Sequence, residues 1–205
     1  MVLAGEDRND RLCLRVLLED LCPEMRGRLV EIGDSVRLHQ ATDANLQARA
    51  ETLARKVRAR AARESADVAC VFVHEDLDRI DGEDVPAVRE RVQKALGSAL
   101  GNAHYALAVS EVEAWLLLFP EALTALVSAW SLPSRYRGRD TGRIPDPKRI
   151  LTEEVSGTGR RYRESDAPGV LEHAARLDLL PRPVGRNRSF DRLRADVAEC
   201  CAHHL

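Results

Sequence analysis

Residues 68–73, Val-Ala-Cys-Val-Phe-Val, form an unbroken apolar run that stops at His74-Glu75-Asp76-Leu77-Asp78. Six apolar residues without alternation leave no face for water, so the run reads as a β-strand covered on both sides, as in a parallel sheet. The flanking segments fit that frame. Met1–Ala4 reads as a short buried strand, followed by the turn Gly5–Asp10 and a helix whose Leu12, Leu14, Val16, Leu17, Leu18 and Leu21 share one face up to Pro23. Residues 29–38 alternate weakly as a second strand, and Thr42 or Asp43 is placed to cap a long helix over Ala44–Arg63 with a basic outer face. Pro86–Leu100 reads as a helix, Ala103–Val109 as an apolar strand, and Ser110–Leu117 as the opening of another helix. Strands alternating with helices predict right-handed crossovers and an α/β fold, a mainly parallel sheet sandwiched by helices.

Beyond Leu132 the character changes. Pro133–Arg163 is rich in Pro, Gly and Arg, with nine basic residues against four acidic ones, and reads as a basic loop region. Pro168–Leu180 and Ser189–Cys200 regain helical periodicity, which predicts a small C-terminal helical extension. The expected organisation is therefore an α/β core over 1–132 with 133–205 packed on it. A chain of 205 residues can bury a substantial core. No apolar run approaches the roughly 20 residues of a membrane span, so no membrane association is expected.

The formal charge of -2, from 31 Lys+Arg against 33 Asp+Glu, excludes a uniformly basic nucleic-acid coat and leaves room for a local basic stripe. Only Lys56, Lys94 and Lys148 are lysine. An arginine excess suits bidentate phosphate contacts and is equally what a G+C-rich coding bias produces. The five cysteines are an odd set without a CxxC, and no signal-peptide pattern opens the chain, which fits a reducing, cytoplasmic setting. Cys200-Cys201 beside His203-His204 has the composition of a soft-metal cluster. Adjacent cysteines share a tetrahedral site poorly, however, and a frayed terminus is a weak platform, so a bland tail is expected.

In open parallel sheets ligands bind beyond the carboxyl ends of the strands. Three expected strand ends carry carboxylates: Glu6 after the first, Asp76 and Asp78 after the third, and Glu111 or Glu113 after the fourth. Asp-x-Asp sets two hard oxygen ligands on one turn, the donor type that Mg²⁺ or Mn²⁺ takes. Without a cation the clustered carboxylates repel and raise one another's pKa. Plainer roles compete: Ser110-x-x-Glu113 is also a capping box, His74 at a strand exit reads as structural, and Ser189 can cap the last helix with Phe190 as a core anchor. Lys148 can be an ordinary loop lysine and Arg188 a surface salt bridge, while Trp115, Leu116 and Leu117 read as core. The chain has no P-loop, no Gly-x-Gly-x-x-Gly and no nucleophile elbow.

Gly5-Glu6 followed by Asp76-Leu77-Asp78 resembles the TOPRIM superfamily, the catalytic domain of topoisomerases, bacterial primases and related nucleases. The closer likeness is to a bacterial TOPRIM-like family of unknown function, through Glu111-Val112-Glu113-Ala114-Trp115-Leu116-Leu117, Pro147-Lys148 and Arg188-Ser189-Phe190. It spans about Leu3 to Leu193. Where the family opens with Glu-Gly this chain has Ala4-Gly5, so Glu6, Asp7 and Asp10 all stand as candidates for the first acid.

The resemblance implies a TOPRIM/Rossmann-like fold and metal-dependent phosphodiester cleavage, as in nucleases of phage defence that act beside an ATPase partner. Asp76, Asp78 and Glu113 or Glu111 would hold one or two Mg²⁺ or Mn²⁺, with Glu6 a further ligand or the base that activates water. Lys148 would neutralise the scissile phosphate and Arg188 position the strand. Arg135–Arg163, including Arg149, Arg160 and Arg161, would form the track for DNA or RNA. The alternative is a non-catalytic TOPRIM-like interaction subunit that binds a partner ATPase or nucleic acid, with Glu6 turned away and an apolar patch exposed. Homo-oligomerisation fits either reading.

Overall fold

Four strands, β1 (Val2–Gly5), β2 (Val30–Gly33), β3 (Val71–Asp76) and β4 (Ala103–Ala108), pair in parallel in the order β2-β1-β3-β4. The computed structural model describes residues 1–5, 7–33 and 37–205. Helices α1 (Arg8–Leu21), α2 (Asp43–Glu64) and α3 (Val85–Leu100) connect the strands, and α4 (Val112–Leu116) and α5 (Pro120–Leu126) follow β4. A single turn, α6 (Pro147–Arg149), runs into a π-helical turn at Ile150–Val155; α7 (Ala167–Arg176) and α8 (Arg188–His204) close the chain. The fold is α/β, an all-parallel sheet flanked by helices with a C-terminal helix, as the alternation of strands and helices predicts.

Strand alternation divides the core into two layers. Leu3, Phe72, Ala106 and Ala108 point to one face, where Leu14, Leu17 and Leu18 of α1, Val170 and Leu171 of α7, and Leu193 and Val197 of α8 cover them. Val2, Ala4, Val71, Val73, Tyr105 and Leu107 point to the other, against Leu46, Leu53 and Val57 of α2 and Val92 and Leu96 of α3. Each fully buried leucine contributes about 1.5–3 kcal/mol. Trp115, Leu116 and Leu117 join the first layer as expected, beside Ile150, Tyr162 and Phe190, so residues after 132 share the core of residues before it.

The order of the strands locates the site. From β1 the chain adds β2 on one side and then returns to place β3 on the other, so the crevice at the carboxyl ends of β1 and β3 is a topological switch point.

Several local expectations are corrected. The third strand is displaced from the apolar run and carries His74, Glu75 and Asp76 inside the ladder, where Asp76 pairs with Ala108. The partner strand and the hydrogen bonds of buried Glu75 extend it, which apolarity alone does not register. The capping box Ser110-x-x-Glu113 does not form: α4 starts one residue after Glu111, which is its N-cap and makes no side-chain cap bond. Asn187, not Ser189, caps α8, its Oδ1 accepting from the amides of Ser189 and Phe190 at 3.1 Å each. The C-terminal tail is helical and cross-linked by the disulfides Cys22–Cys201 and Cys70–Cys200, with Cys13 free and buried. Phe190, Leu193, Val197 and Cys200 form the stripe that seats α8 on the core and brings its last turns to Cys22 and Cys70. Among the described residues no helix is long and apolar enough to cross a membrane.

Candidate functional site

At the switch point β1 ends at Gly5, in register with His74 of β3. Glu6 lies outside the described residues. Two residues beyond His74, on the same face of β3, stands Asp76, whose Oδ1 is buried and has no hydrogen-bond partner among the described residues. Asp78 follows in a left-handed turn (φ 57°), and its amide donates to Ser110 O at 2.9 Å, drawing the Asp-x-Asp segment against the loop that precedes α4. The Ser110 amide donates in turn to Arg79 O at 2.8 Å. Glu111 and Glu113 enter from this loop and the first turn of α4; Asp10 enters from the first turn of α1.

His74 sits between two of these acids. Its Nδ1 is 4.0 Å from Asp10 Oδ2 and its Nε2 is 3.7 Å from Asp76 Oδ1, both too long for hydrogen bonds, and its ring meets Trp115 edge-on at 6.0 Å. Burial pulls the imidazole pKa down to about 4, against a weaker opposing effect of Glu75, so His74 is neutral at pH 7 and gives the acids no positive charge.

The carboxylates therefore act on one another in a partly buried crevice, with Asp78 exposed at its rim. Burial raises the Asp76 carboxyl well above its ordinary value, and Asp10, Glu113, Glu111 and Asp78 push it further. Burial lifts Glu113 to about 7 despite Lys148, while the Tyr162 hydroxyl donates to Glu113 Oε1 at 3.1 Å. Glu111 is raised by burial against the pull of Lys148, and its Oε2 is buried without a partner among the described residues. Lys148 Nζ lies 3.7 Å from Glu111 Oε1 and 3.1 Å from Glu164 Oε1. Partial burial opposes its charge, but Glu113, Glu164 and Glu111 outweigh that and hold it protonated. The buried Cys13 thiol is likewise pushed up, by burial first and then by Asp10, Glu113 and Asp76.

Asp10, Asp78, Glu111 and Glu113 thus all act on Asp76, Lys148 acts on Glu111 and Glu113, and Arg11 Nη1 donates to Gly5 O at 2.8 Å at the same strand end. A divalent cation is the chemical resolution of such a cluster. Hard oxygens from three elements, two of them buried and unpartnered among the described residues, are the donor type Mg²⁺ or Mn²⁺ takes, although no three of their ligand atoms lie within 4.8 Å of one another, so a cation would have to draw them together.

The sequence blocks that carry the resemblance meet here. Trp115 Nε1 donates to Ser189 Oγ at 2.8 Å, the Val109 amide donates to the same oxygen at 3.2 Å, and Ser189 Oγ donates to Asn187 Oδ1 at 2.7 Å. Pro147-Lys148 is presented by Asp146, in a left-handed conformation (φ 51°) with its carboxylate accepting from the Arg149 amide at 3.1 Å. A cavity of about 340 Å³ lined by Asn9, Lys148, Thr152, Tyr162, Arg163 and Glu164 opens beside the lysine.

The expected nucleic-acid residues are more dispersed. Arg188 bonds Asp81 and donates to Gly82 O at 2.9 Å, as the surface salt bridge considered for it. Arg149 pairs with Asp146 at 3.3 Å and Glu153 at 3.2 Å. Arg160 pairs with Asp166 and covers the Trp130 ring at 5.4 Å, while Arg161 is exposed. The large exposed apolar side chains among the described residues, Ile80, Leu177 and Leu205, fall at three separate points of the chain.

Asp10 was one of three candidates for the first acid. His74 and Tyr162 carried no functional expectation. The signal for His74 is its two-residue spacing from Asp76, which an apolar run ending at Val73 conceals. Compared with protein-family models, curated proteins and solved structures, the chain matches none.

Proposed function

We propose that the protein is a nuclease that cleaves phosphodiester bonds with the help of Mg²⁺ or Mn²⁺. The observation that carries this reading is the coupling of Asp10, Asp78, Glu111 and Glu113 to Asp76 at the β1/β3 switch point, with the buried oxygens Asp76 Oδ1 and Glu111 Oε2 unpartnered among the described residues. Asp76, Asp78, Glu111 and Asp10 would hold the cation, which supplies an acidified water and neutralises charge on the phosphate. Glu113, held by Tyr162 and poised near neutral pH, is suited to take a proton from the attacking water. Lys148 exchanges its Glu164 partner for a phosphate oxygen as substrate enters the neighbouring cavity. The choice of nucleic acid and the setting in phage defence beside an ATPase partner rest on the resemblance to TOPRIM-like proteins; a reducing, cytoplasmic location rests on the cysteine set, and the two disulfides weigh against it.

The pairing of Arg149, Arg160 and Arg188 with acids of their own chain favours a second reading, a subunit that keeps the fold without cutting. One experiment separates the two: plasmid DNA, single-stranded DNA and total RNA are incubated with the protein in Mg²⁺, Mn²⁺ or EDTA, beside Asp76→Asn and Asp78→Asn. The nuclease reading expects cation-dependent cleavage that both substitutions abolish. Asp76→Asn relieves a carboxylate that burial and its neighbours disfavour, so it should fold at least as well as wild type. Absence of cleavage on all three substrates by folded protein refutes the nuclease reading.

A further inference from the structure

At the opposite, amino-terminal edge of the sheet lies a second group of chemically active side chains. Cys70 directly precedes β3, His104 is the second residue of β4, and Cys200 comes from the last turns of α8. The two sulfurs and a ring nitrogen of His104 all lie within 4.8 Å of one another. Both cysteines are fully buried and His104 is 8% exposed. The histidine is fixed in place: its ring stacks on Phe72 with centroids 5.0 Å apart and planes at 21°. Its Nδ1 is 4.0 Å from Asp196 Oδ1, on a buried carboxylate that Arg89 and Arg192 hold at 2.6 Å and 2.9 Å. Its Nε2 is buried with no hydrogen-bond partner among the described residues.

A disulfide alone does not account for this arrangement. A Cys–Cys bond asks nothing of an imidazole, whereas leaving a buried ring nitrogen unpartnered costs about 1–3 kcal/mol. Two cysteine sulfurs, a neutral imidazole and a carboxylate behind that imidazole are what a zinc ion gathers around itself. Glu199, exposed on α8, is also close: ligand atoms of His104, Asp196 and Glu199 lie within 4.8 Å of one another.

We propose that Cys70, Cys200 and His104 form a thiolate-imidazole site for Zn²⁺ when the Cys70–Cys200 disulfide is reduced, with water as fourth ligand. Two molecules of a thiol reductant deliver two electrons and two protons, opening the disulfide to two thiols and leaving as their own disulfide. Zn²⁺ then displaces the two thiol protons. The oxidised and zinc-bound forms are mutually exclusive occupants of one place, and both tether α8 to β3. Unlike the carboxylate cluster, this site offers soft donors and selects a different metal.

The test is a zinc titration of the full chain, oxidised and reduced, against a chromophoric chelator, repeated with Co²⁺ to read thiolate-to-metal charge-transfer absorption. The variants are Cys200→Ser, His104→Phe, which keeps a ring against Phe72, and Cys201→Ser, which breaks only the other disulfide. Reduced wild type and Cys201→Ser should each bind one Zn²⁺ more than the oxidised protein and give tetrahedral cobalt spectra with thiolate bands. The oxidised protein should show no thiolate bands. Cys200→Ser and His104→Phe should each weaken binding by at least about 100-fold, above the upper end of what loss of a residue behind a ligand costs. The proposal is overturned if reduced wild type binds no stoichiometric zinc, if oxidation leaves binding unchanged, or if His104→Phe binds as tightly as wild type. Because Cys22, Glu24 and Cys201 also bring ligand atoms within 4.8 Å of one another, the cobalt spectrum of Cys201→Ser, which removes that alternative, decides the point even if the other variants misfold.

Discussion

Glu113 offers a direct measure of how far the acid cluster is strained without a cation. Its folded carboxyl is raised from an ordinary 4.5 to about 7, mainly by burial. Between those values the folded chain keeps the proton and the unfolded chain releases it, so the unfolded state binds fewer protons and stability falls as pH rises. The loss begins near the unfolded pKa and is complete once pH has passed the folded one. At about 1.4 kcal/mol per pH unit, the rise corresponds to about 3 kcal/mol, undiminished by solvent because the side chain is only 5% exposed. Glu113→Gln imitates the protonated acid, keeps an oxygen for Tyr162 and removes the titration. Urea unfolding in EDTA should give similar stabilities for wild type and variant near about pH 4.5, and a variant about 3 kcal/mol more stable above about pH 8. Saturating Mn²⁺ should return stability to wild type at the higher pH and give less to the variant. A stability difference that stays constant across this range would refute the reasoning, because it would show that Glu113 ionises as freely folded as unfolded.

Two further substitutions test the frame that holds the cluster. Glu75, buried on the other face of β3, accepts from the His39 amide at 3.1 Å, His39 Nδ1 at 2.9 Å, Tyr105 Oη at 2.6 Å and the Leu38 amide. Burial alone would raise its pKa, but these donors outweigh it and lower the value below 4.5, so its contribution is present above that pH and lost as pH falls through the folded value. Glu75→Gln should cost about 2–4 kcal/mol at neutral pH by urea denaturation and flatten the acid limb of the stability profile; an unchanged acid limb would contradict the assignment. Ser189→Ala strands Trp115 Nε1 and the Val109 amide and should cost about 1–3 kcal/mol, with the Trp115 environment followed by near-ultraviolet circular dichroism. Wild-type stability in that variant would show that the Trp-Ser link does not hold α4 to α8.

The layers of the fold were legible because burial imposes period. Two-sided burial of β3 and β4 leaves an unbroken apolar run, and one-sided burial of α1, α7 and α8 leaves a stripe. The ends of elements were less legible. β3 outlasts its apolar run because β4 supplies a ladder as far as Ala108 and because Glu75 finds four donors, three of them in residues 38 and 39 and one on β4. Both are long-range facts. The same limit hid His74 in its place between Asp10 and Asp76, and Tyr162 on Glu113 across 49 residues. The pairing of Cys70 with Cys200 spans 130 residues and that of Cys22 with Cys201 spans 179, so cysteine spacing carried no hint of either. Asp76, Asp78, Glu111 and Glu113 were nameable in advance because topology sends every parallel strand end to the same edge.

That edge is also where local consistency breaks. Elsewhere Glu75 has four donors and Asn187 accepts from Ser189 and Phe190, although atoms of Arg60, Arg89, His104, Asp140 and Asp196 are also buried without a hydrogen-bond partner among the described residues. At the switch point His74 has neither nitrogen bonded, Asp76 and Glu111 keep buried unpartnered oxygens, and Glu113 is held near neutral pH. Replacing these acids with apolar residues would remove a repulsive term and stabilise the metal-free fold. Real proteins depart from consistency chiefly at functional sites, where the missing partner is a ligand. Under the proposed function, the buried oxygens of Asp76 and Glu111 are where a bound cation would supply the missing partner.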